Sequence, residues 1–269
     1  MLKVGSFFKI AAGVSGRWLA QKVTDFLHLL GFFTDCLGAM IRYRHRGRWL
    51  TTRATLQQIY FTGVQSLELI CSIALLVGGL VVIQGTAQLT RMGSREGLAV
   101  LLTAVVIREA GPLLTAVIVT LRSGSAIAIE MGYMTVLREI ESIEMQGIHP
   151  LHLLAVPRLV GVTAAVMCLS VFFAVVSIGG GFFAAWVLLD IPPWSLLNDL
   201  IPTLGGMDVM VGLVKALFFG MIISVVCLHH GFRAGEAITN VPPRASRALV
   251  QCFIFCIAVN VLVSAVFYL

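Results

Sequence analysis

Five stretches of this chain are apolar over lengths close to or beyond the roughly 20 residues a helix needs to cross a bilayer. They run from about Leu67 to Leu89, Gly97 to Leu121, just after Pro157 to Leu189, Val209 to Leu228 and Ala248 to Tyr268. No soluble domain tolerates so much continuous hydrocarbon. Only 12% of the residues are charged and the mean hydropathy is +0.96, whereas about a quarter of a soluble domain is charged. The chain therefore reads as an all-α integral membrane protein with five transmembrane helices. The third stretch, some 32 residues, would make a helix about 48 Å long. Either it tilts and protrudes, or it bends at Gly179-Gly180-Gly181.

The net charge of +6 invites a nucleic-acid partner, but its distribution belongs to membrane topology. Nine of the 19 Lys and Arg precede Ala54. With the N-terminus in the cytoplasm, the inside segments hold those nine, then Arg122, Arg138 and Arg158, then Arg233, Arg244 and Arg247. The outside segments hold Arg91 and Arg95, and the loop Asp190–Asp208 carries three Asp and no cation. This asymmetry predicts a cytoplasmic N-terminus and a periplasmic C-terminus, and no nucleic acid as partner. Residues 1–55 form a separate segment, expected to lie in the interface plane. Over Ser6–Phe33, Phe7, Ile10, Val14 and Trp18 recur at helical spacing while Lys9, Arg17 and Lys22 interrupt them. The basic block Ile41–Arg53 is either a positive-inside anchor or a lipid-recognition element. The opening MLKVGSFFKIAAGVSG is broken by Lys9, so signal-peptide cleavage is not expected. Residues 56–269 are the five-span domain.

Between spans two and three, LREIESIEMQGIHP (Leu137–Pro150) packs Arg138, Glu139, Glu141 and Glu144 into eight residues. Tyr133, Val136, Leu137, Ile140 and Ile143 recur every three or four residues, which makes one face apolar and the other charged. An amphipathic helix over about 130–147 is expected on the cytoplasmic side, with Gly147 and Pro150 as stop signals.

Within the spans, ionisable residues are exceptional. Arg108-Glu109 is expected near the middle of span two, beside Gly111-Pro112, where the missing proline N–H would kink the helix. Lys215 stands alone in span four and Asn260 in span five. Such residues mark a functional site by default, although a buried charge network that merely joins helices fits equally well. The six cysteines read as small hydrophobes, and Cys252 and Cys256 share a face with nothing nearby to complete a metal site. His229 and His230 are adjacent and cannot face one site on a helix, so no metal is expected.

From Arg108 to Gly161 the residues read REAGPLLTAVIVTLRSGSAIAIEMGYMTVLREIESIEMQGIHPLHLLAVPRLVG. The elements RE-x-GP, R-x-GSA-x3-E-x-G-x-M, E-x-I-x-x-E, G-x-x-P and VPR resemble the MlaE/YrbE permease family. These are the membrane subunits of ABC transporters that move lipids together with MCE-domain proteins. The resemblance implies a homodimer in the bacterial inner membrane, partnered by an ABC ATPase subunit and an MCE-domain periplasmic protein, with phospholipid as cargo. It makes the acidic helix a coupling helix, with Glu130, Arg138, Glu139, Glu141 and Glu144 as the ATPase-coupling residues. It places Arg108, Glu109, Lys215 and Asn260 around a lipid pocket, Arg108 and Lys215 attracting the headgroup phosphate. Trp194 becomes an outer interfacial anchor near the MCE partner. Some relatives carry an acid where this chain has Asn260, and the Gly-rich stretch of their last inside loop is partly replaced here by Asn240-Val241-Pro242-Pro243.

No G-x-x-x-x-G-K-[ST] occurs and no Gly is followed by Lys, so ATP and Mg are expected on a separate ATPase chain rather than here. Two other readings stand beside the transport subunit. A non-transporting scaffold would anchor the same partners. An intramembrane enzyme would need a nucleophile and base set such as G-x-S-x-G, which the spans do not carry.

Overall fold

The computed structural model describes residues 24, 27–42, 48–91, 103–190, 192–203, 205–235 and 237–268, and all regular structure among them is helical. Five helices are long and apolar enough to cross a membrane: Trp49–Gln88, Thr103–Val136, Leu151–Leu188, Gly206–Phe232 and Ile238–Phe267, here spans one to five. A helix over residues 27–42 precedes them. The helix Glu139–Met145 joins spans two and three, and the helix Pro193–Thr203 joins spans three and four. The five-span, all-helical architecture expected from hydropathy is present. Most of the interfacial helix expected over Ser6–Phe33 lies outside the described residues, as do residues 43–47 of the basic block. The described helix 27–42 buries Leu29, Cys36 and Ala39 and sets Phe32 against His229 and Phe232 at the end of span four.

The spans extend beyond their apolar windows because the polar residues that close those windows face protein. Span two was expected to end near Leu121 but continues to Val136. Thr120 and Ser123 are fully buried, and a Cβ on Gly124 would stand 3.1 Å from Cys227 Sγ of span four. A helix starts at Arg48, so the end of the basic block is continuous with the first span. Span three starts at Leu151, ahead of Pro157, and Pro150 opens this helix rather than closing the previous one.

Two of the prolines near span entries follow a widened turn. Pro112 comes just after the π-helical stretch Thr103–Ala110, and Pro157 just after Leu151–Ala155. A proline has no N–H for the carbonyl four residues back, and a π turn redistributes the bonds without breaking the rod. The kink expected at Pro112 thus takes the form of local widening.

The triple glycine of span three does not break it: the helix Val156–Leu189 is continuous over 34 residues. At about 51 Å it exceeds the roughly 30 Å hydrocarbon core. These glycines serve packing instead. A Cβ on Gly180 would lie 2.6 Å from the Leu75 carbonyl oxygen, and one on Gly78 would overlap the Ser177 carbonyl. Two helix backbones meet directly there, the means by which membrane helices gain dispersion contact where no hydrophobic effect separates them from lipid. Span four repeats the device, with Gly220 against the Thr163 Cα. It is the most enclosed span, 67% of its apolar window being buried against 17% for span five. Span four is therefore the hub, and its faces can hold polar groups away from lipid.

The helix Pro193–Thr203 caps the opposite end of the bundle from Glu139–Met145. It buries Leu196 against Val82, Val106 and Ala185 of spans one, two and three, and leaves Trp194 74% exposed.

Gly78→Val should cost on the order of 3 kcal/mol or more, since backbone rather than a flexible side chain must yield. Gly179→Ala, where nothing lies within 4 Å, should be neutral. Thermal unfolding of both variants in detergent checks the contrast, and equal midpoints would refute the packing role of Gly78.

Candidate functional site

Lys215 lies on the inward face of span four and is completely buried. An ammonium in such a place must find an acceptor for each of its three protons. It finds the Glu109 carboxylate at 2.8 Å, the Ser264 hydroxyl at 2.7 Å and the Arg108 backbone carbonyl at 2.9 Å. The last of these acceptors is a consequence of sequence. Pro112 cannot donate to the carbonyl of Arg108, four residues back, and the lysine does.

Glu109 is held just as fully. Its Oε1 accepts from Lys215 and from the Ser264 hydroxyl at 2.7 Å, and its Oε2 accepts from Asn260 Nδ2 at 2.8 Å. Ser264 both accepts from the lysine and donates to the glutamate, which closes a ring across spans two, four and five. Beside the ring, Arg108 Nε stands 2.8 Å from Asp208 Oδ1, an ion pair rather than a well-aligned hydrogen bond. Asp208 sits in the first turn of the helix Gly206–Phe232, where the helix dipole favours a carboxylate. Gly212, one turn on, lets this helix approach the second span, since a Cβ there would be 3.1 Å from the Ile107 carbonyl.

The cluster is enclosed on one side and open on the other. The Lys215 side chain is 0% exposed and that of Asp208 8%, whereas Arg108 and Glu109 are 34% and 41% exposed on the single chain. Two opposite charges thus reach the outside of a bundle whose remaining surface is largely apolar. The Asn260 Oδ1 is buried without a hydrogen-bond partner among the described residues.

All four expected pocket residues, Arg108, Glu109, Lys215 and Asn260, meet here. Two features differ from expectation. Arg108 lies close to the first described residue of span two and level with the start of span four, not at mid-span, because the helix runs on to Val136. Lys215 has all its protons engaged, so in this arrangement it positions Glu109 and has none to offer a headgroup. Asp208 and Ser264 escaped sequence reading, the first because it was placed in a loop. The signal was spacing: Asp208 precedes Lys215 by two helical turns, and Asn260 precedes Ser264 by one.

At the other end of the bundle the expected amphipathic helix over 130–147 is divided. Span two ends at Val136, Arg138 adopts a left-handed conformation (φ 58°), and the helix Glu139–Met145 then starts afresh with no buried residue. The apolar period read through Tyr133 to Ile143 therefore belongs to two helices at an angle. Its end was legible: Gly147, at φ 77°, donates to Glu144 O at 2.9 Å, and Ile148 to Ile143 O at 3.3 Å. These are the two bonds of a Schellman stop. Arg138, Glu139, Glu141 and Glu144 are all exposed at this end. Glu130 is not on the short helix. It lies within span two and pairs at 2.7 Å with Arg158 of span three, which also donates to Leu154 O.

Lys215→Met should strand Glu109 and lower stability by on the order of 2–4 kcal/mol, less than for a fully enclosed pair because Glu109 is partly exposed. Adding Glu109→Gln should recover part of that loss. Thermal or denaturant unfolding of the single and double variants measures the coupling, and simple additivity would show that the pair does not act as a unit.

A family model described as Permease MlaE matches residues 55–266. The intermembrane phospholipid transport system permease protein MlaE of Haemophilus influenzae is 26% identical over 254 residues, covering 93% of this chain and 96% of its own. A Rickettsia prowazekii protein named "Probable ABC transporter permease protein" is 26% identical over 213 residues, covering 79% and 82%. A Synechocystis protein of similar name is 28% identical over 201 residues, covering 75% and 76%. The match runs through all five spans and both ends of the bundle, and the chain belongs to the MlaE permease family.

Proposed function

We propose that this chain is the permease subunit of an ATP-driven transporter that moves phospholipid between the inner and outer membranes of a bacterium. The observation that carries this reading is the Arg108–Asp208 and Glu109–Lys215 cluster, whose outer rim presents a guanidinium and a carboxylate on a largely apolar surface. A phosphodiester needs such a cation, while its acyl chains need only the surrounding Leu, Val and Phe. The Haemophilus influenzae relative, a phospholipid transport permease by name, supports the choice of cargo.

Arg108 is the group assigned to the headgroup. Its pairing with Asp208 holds the guanidinium in place at the rim of the cluster. Glu109, Lys215, Asn260 and Ser264 position that arginine's helix and keep the cluster from collapsing. The chain acts as a homodimer, so that two such rims enclose one cavity. It does no ATP chemistry itself, since no phosphate loop occurs in the sequence. ATP and Mg are bound by a separate ABC ATPase, and an MCE-domain protein receives or delivers lipid on the periplasmic side.

Fifteen Lys and Arg against two support the inner membrane as the site, with the N-terminus cytoplasmic and the C-terminus periplasmic. The helix Glu139–Met145 then lies on the cytoplasmic face. Fixed by a left-handed turn at one end and a Schellman stop at the other, it is a short stiff lever between spans two and three. Its glutamates set the register on the ATPase, and Ile140, Ile143 and Met145 supply contact area. Glu130, through Arg158, ties the ends of the two spans that the lever moves.

Arg108→Ala in the assembled complex should lower lipid transfer about tenfold or more without dissociating the subunits, as a lost charge-assisted contact would. Full transfer by that variant would remove Arg108 from the pocket. Separately, replacing Glu139, Glu141 and Glu144 with Lys should weaken capture of the ATPase in pull-down. Undiminished capture with coupled ATPase activity would exclude docking through this helix.

A further inference from the structure

An arginine-rich site lies far from the Lys215 cluster. Between the end of span two, the end of span four and the start of span five there is a cleft of about 700 Å³, within the range of small-ligand sites. Three guanidinium groups enter it from three different elements. Arg138 comes from the left-handed turn after span two, Arg233 from the residue that ends the helix of span four, and Arg244 from the first turns of the helix Val241–Tyr268. One carboxylate, Glu141, also lines it. Among the described residues three arginines and one carboxylate line the cleft, and no carboxylate lies within salt-bridge distance of any of these arginines. Arginines drawn together in excess of acids repel one another unless an anion joins them.

The elements that carry them are firmly built. Thr135 bonds across to the Gly231 carbonyl at 3.1 Å, and Gly132 accepts Val241 so closely that a Cβ would meet it at 2.8 Å. The cleft is therefore a fixed feature of three packed helix ends.

Its depth in the bilayer identifies the anion. The helix Gly206–Phe232 has 27 residues, about 40 Å, which is the thickness of the hydrocarbon core plus both headgroup layers. Arg233 follows directly and so stands at headgroup level. Leu137, next to Arg138 in the chain, is 58% exposed and provides an apolar edge along which an acyl chain can lie. Thr135 is 27 residues further along the second span than Arg108, roughly 40 Å away, so the arginine cleft and the Lys215 cluster occupy opposite ends of the bundle.

We propose that this cleft is a phosphate-binding site, filled from the bilayer by the headgroup of an anionic phospholipid. Arginine suits the task because its planar fork can hold two phosphate oxygens at once. A bound headgroup would bridge spans two, four and five at the root of the Glu139–Met145 helix, fixing that helix relative to the bundle. The site depends on the family's membrane setting but not on Arg108 being the cargo site, and it is tested apart from transfer.

The experiment uses the full chain in nanodiscs of phosphatidylcholine containing a minority of phosphatidylglycerol, followed by native mass spectrometry of retained lipid. Wild type should retain phosphatidylglycerol selectively, and Arg138→Gln, Arg233→Gln and Arg244→Gln should each weaken retention roughly fivefold. Arg108→Ala should leave this selectivity in place, which separates the cleft from the pocket. The exposed single change Arg233→Gln with an unchanged unfolding temperature is the deciding case. Equal retention by wild type and that variant would overturn the proposal. Arginine-dependent binding of inorganic phosphate in lipid-free detergent, with no selectivity for phosphatidylglycerol, would overturn the lipid source. Loss of ATPase capture in Arg233→Gln without any change in lipid retention would assign the cleft to a protein carboxylate instead.

Discussion

Lys215 is an ammonium with no access to water, and much of the bundle's geometry follows from how its three protons are satisfied. One acceptor comes from span two, one from span five and one from a backbone carbonyl that a proline has left without its usual donor. Charge burial of this kind is tolerated only when every lone pair and proton has a partner. The ring of Lys215, Glu109, Ser264 and Asn260 meets that demand on the lysine side and fixes three spans at one level. The price is borne by spans that must approach within hydrogen-bond reach, which Gly212 permits.

A different physical contact organises the other side of the molecule. Spans one and three meet through Gly78 and Gly180, backbone on backbone. Lipid tails compete on equal terms with Leu and Val side chains, so larger side chains would gain little there and would push the helices apart. The bundle thus joins a polar knot at spans two, four and five to a close-packed glycine seam at spans one and three. Span four touches both through Gly212 and Gly220. Movement at one end of span two or span three is carried along a continuous rod, since the π turns and prolines widen these helices without cutting them.

The two ends of the bundle carry opposite chemistry in different settings. At one end Arg108 and Glu109 reach the surface beside the capping helix Pro193–Thr203. At the other, a short exposed helix bears three glutamates above a cleft lined by three arginines. Between them lie some 40 Å of apolar helix.

Sequence by itself determined the class of the fold, the number of spans and the residues that could not be at ease in lipid. Run length and hydropathy set the first two, and the cost of burying charge marked Arg108, Glu109 and Lys215. The stop at Gly147 was equally legible, because a left-handed C-cap is a local property of a few residues. Tertiary structure alone decided the partners and the limits of each helix. Glu109 and Lys215 are 106 residues apart in the chain, and no local period states that they meet. Asp208 looked like a loop acid until span four was seen to begin before it. The polar run Thr120–Ser125 looked like an end, but Thr120, Ser123 and Gly124 are buried inside the bundle. Gly179–Gly181 stay helical, and Gly180 lies against the Leu75 backbone of span one. In each case a polar or small residue has two meanings, loop or contact, and only the neighbour across the bundle chooses between them.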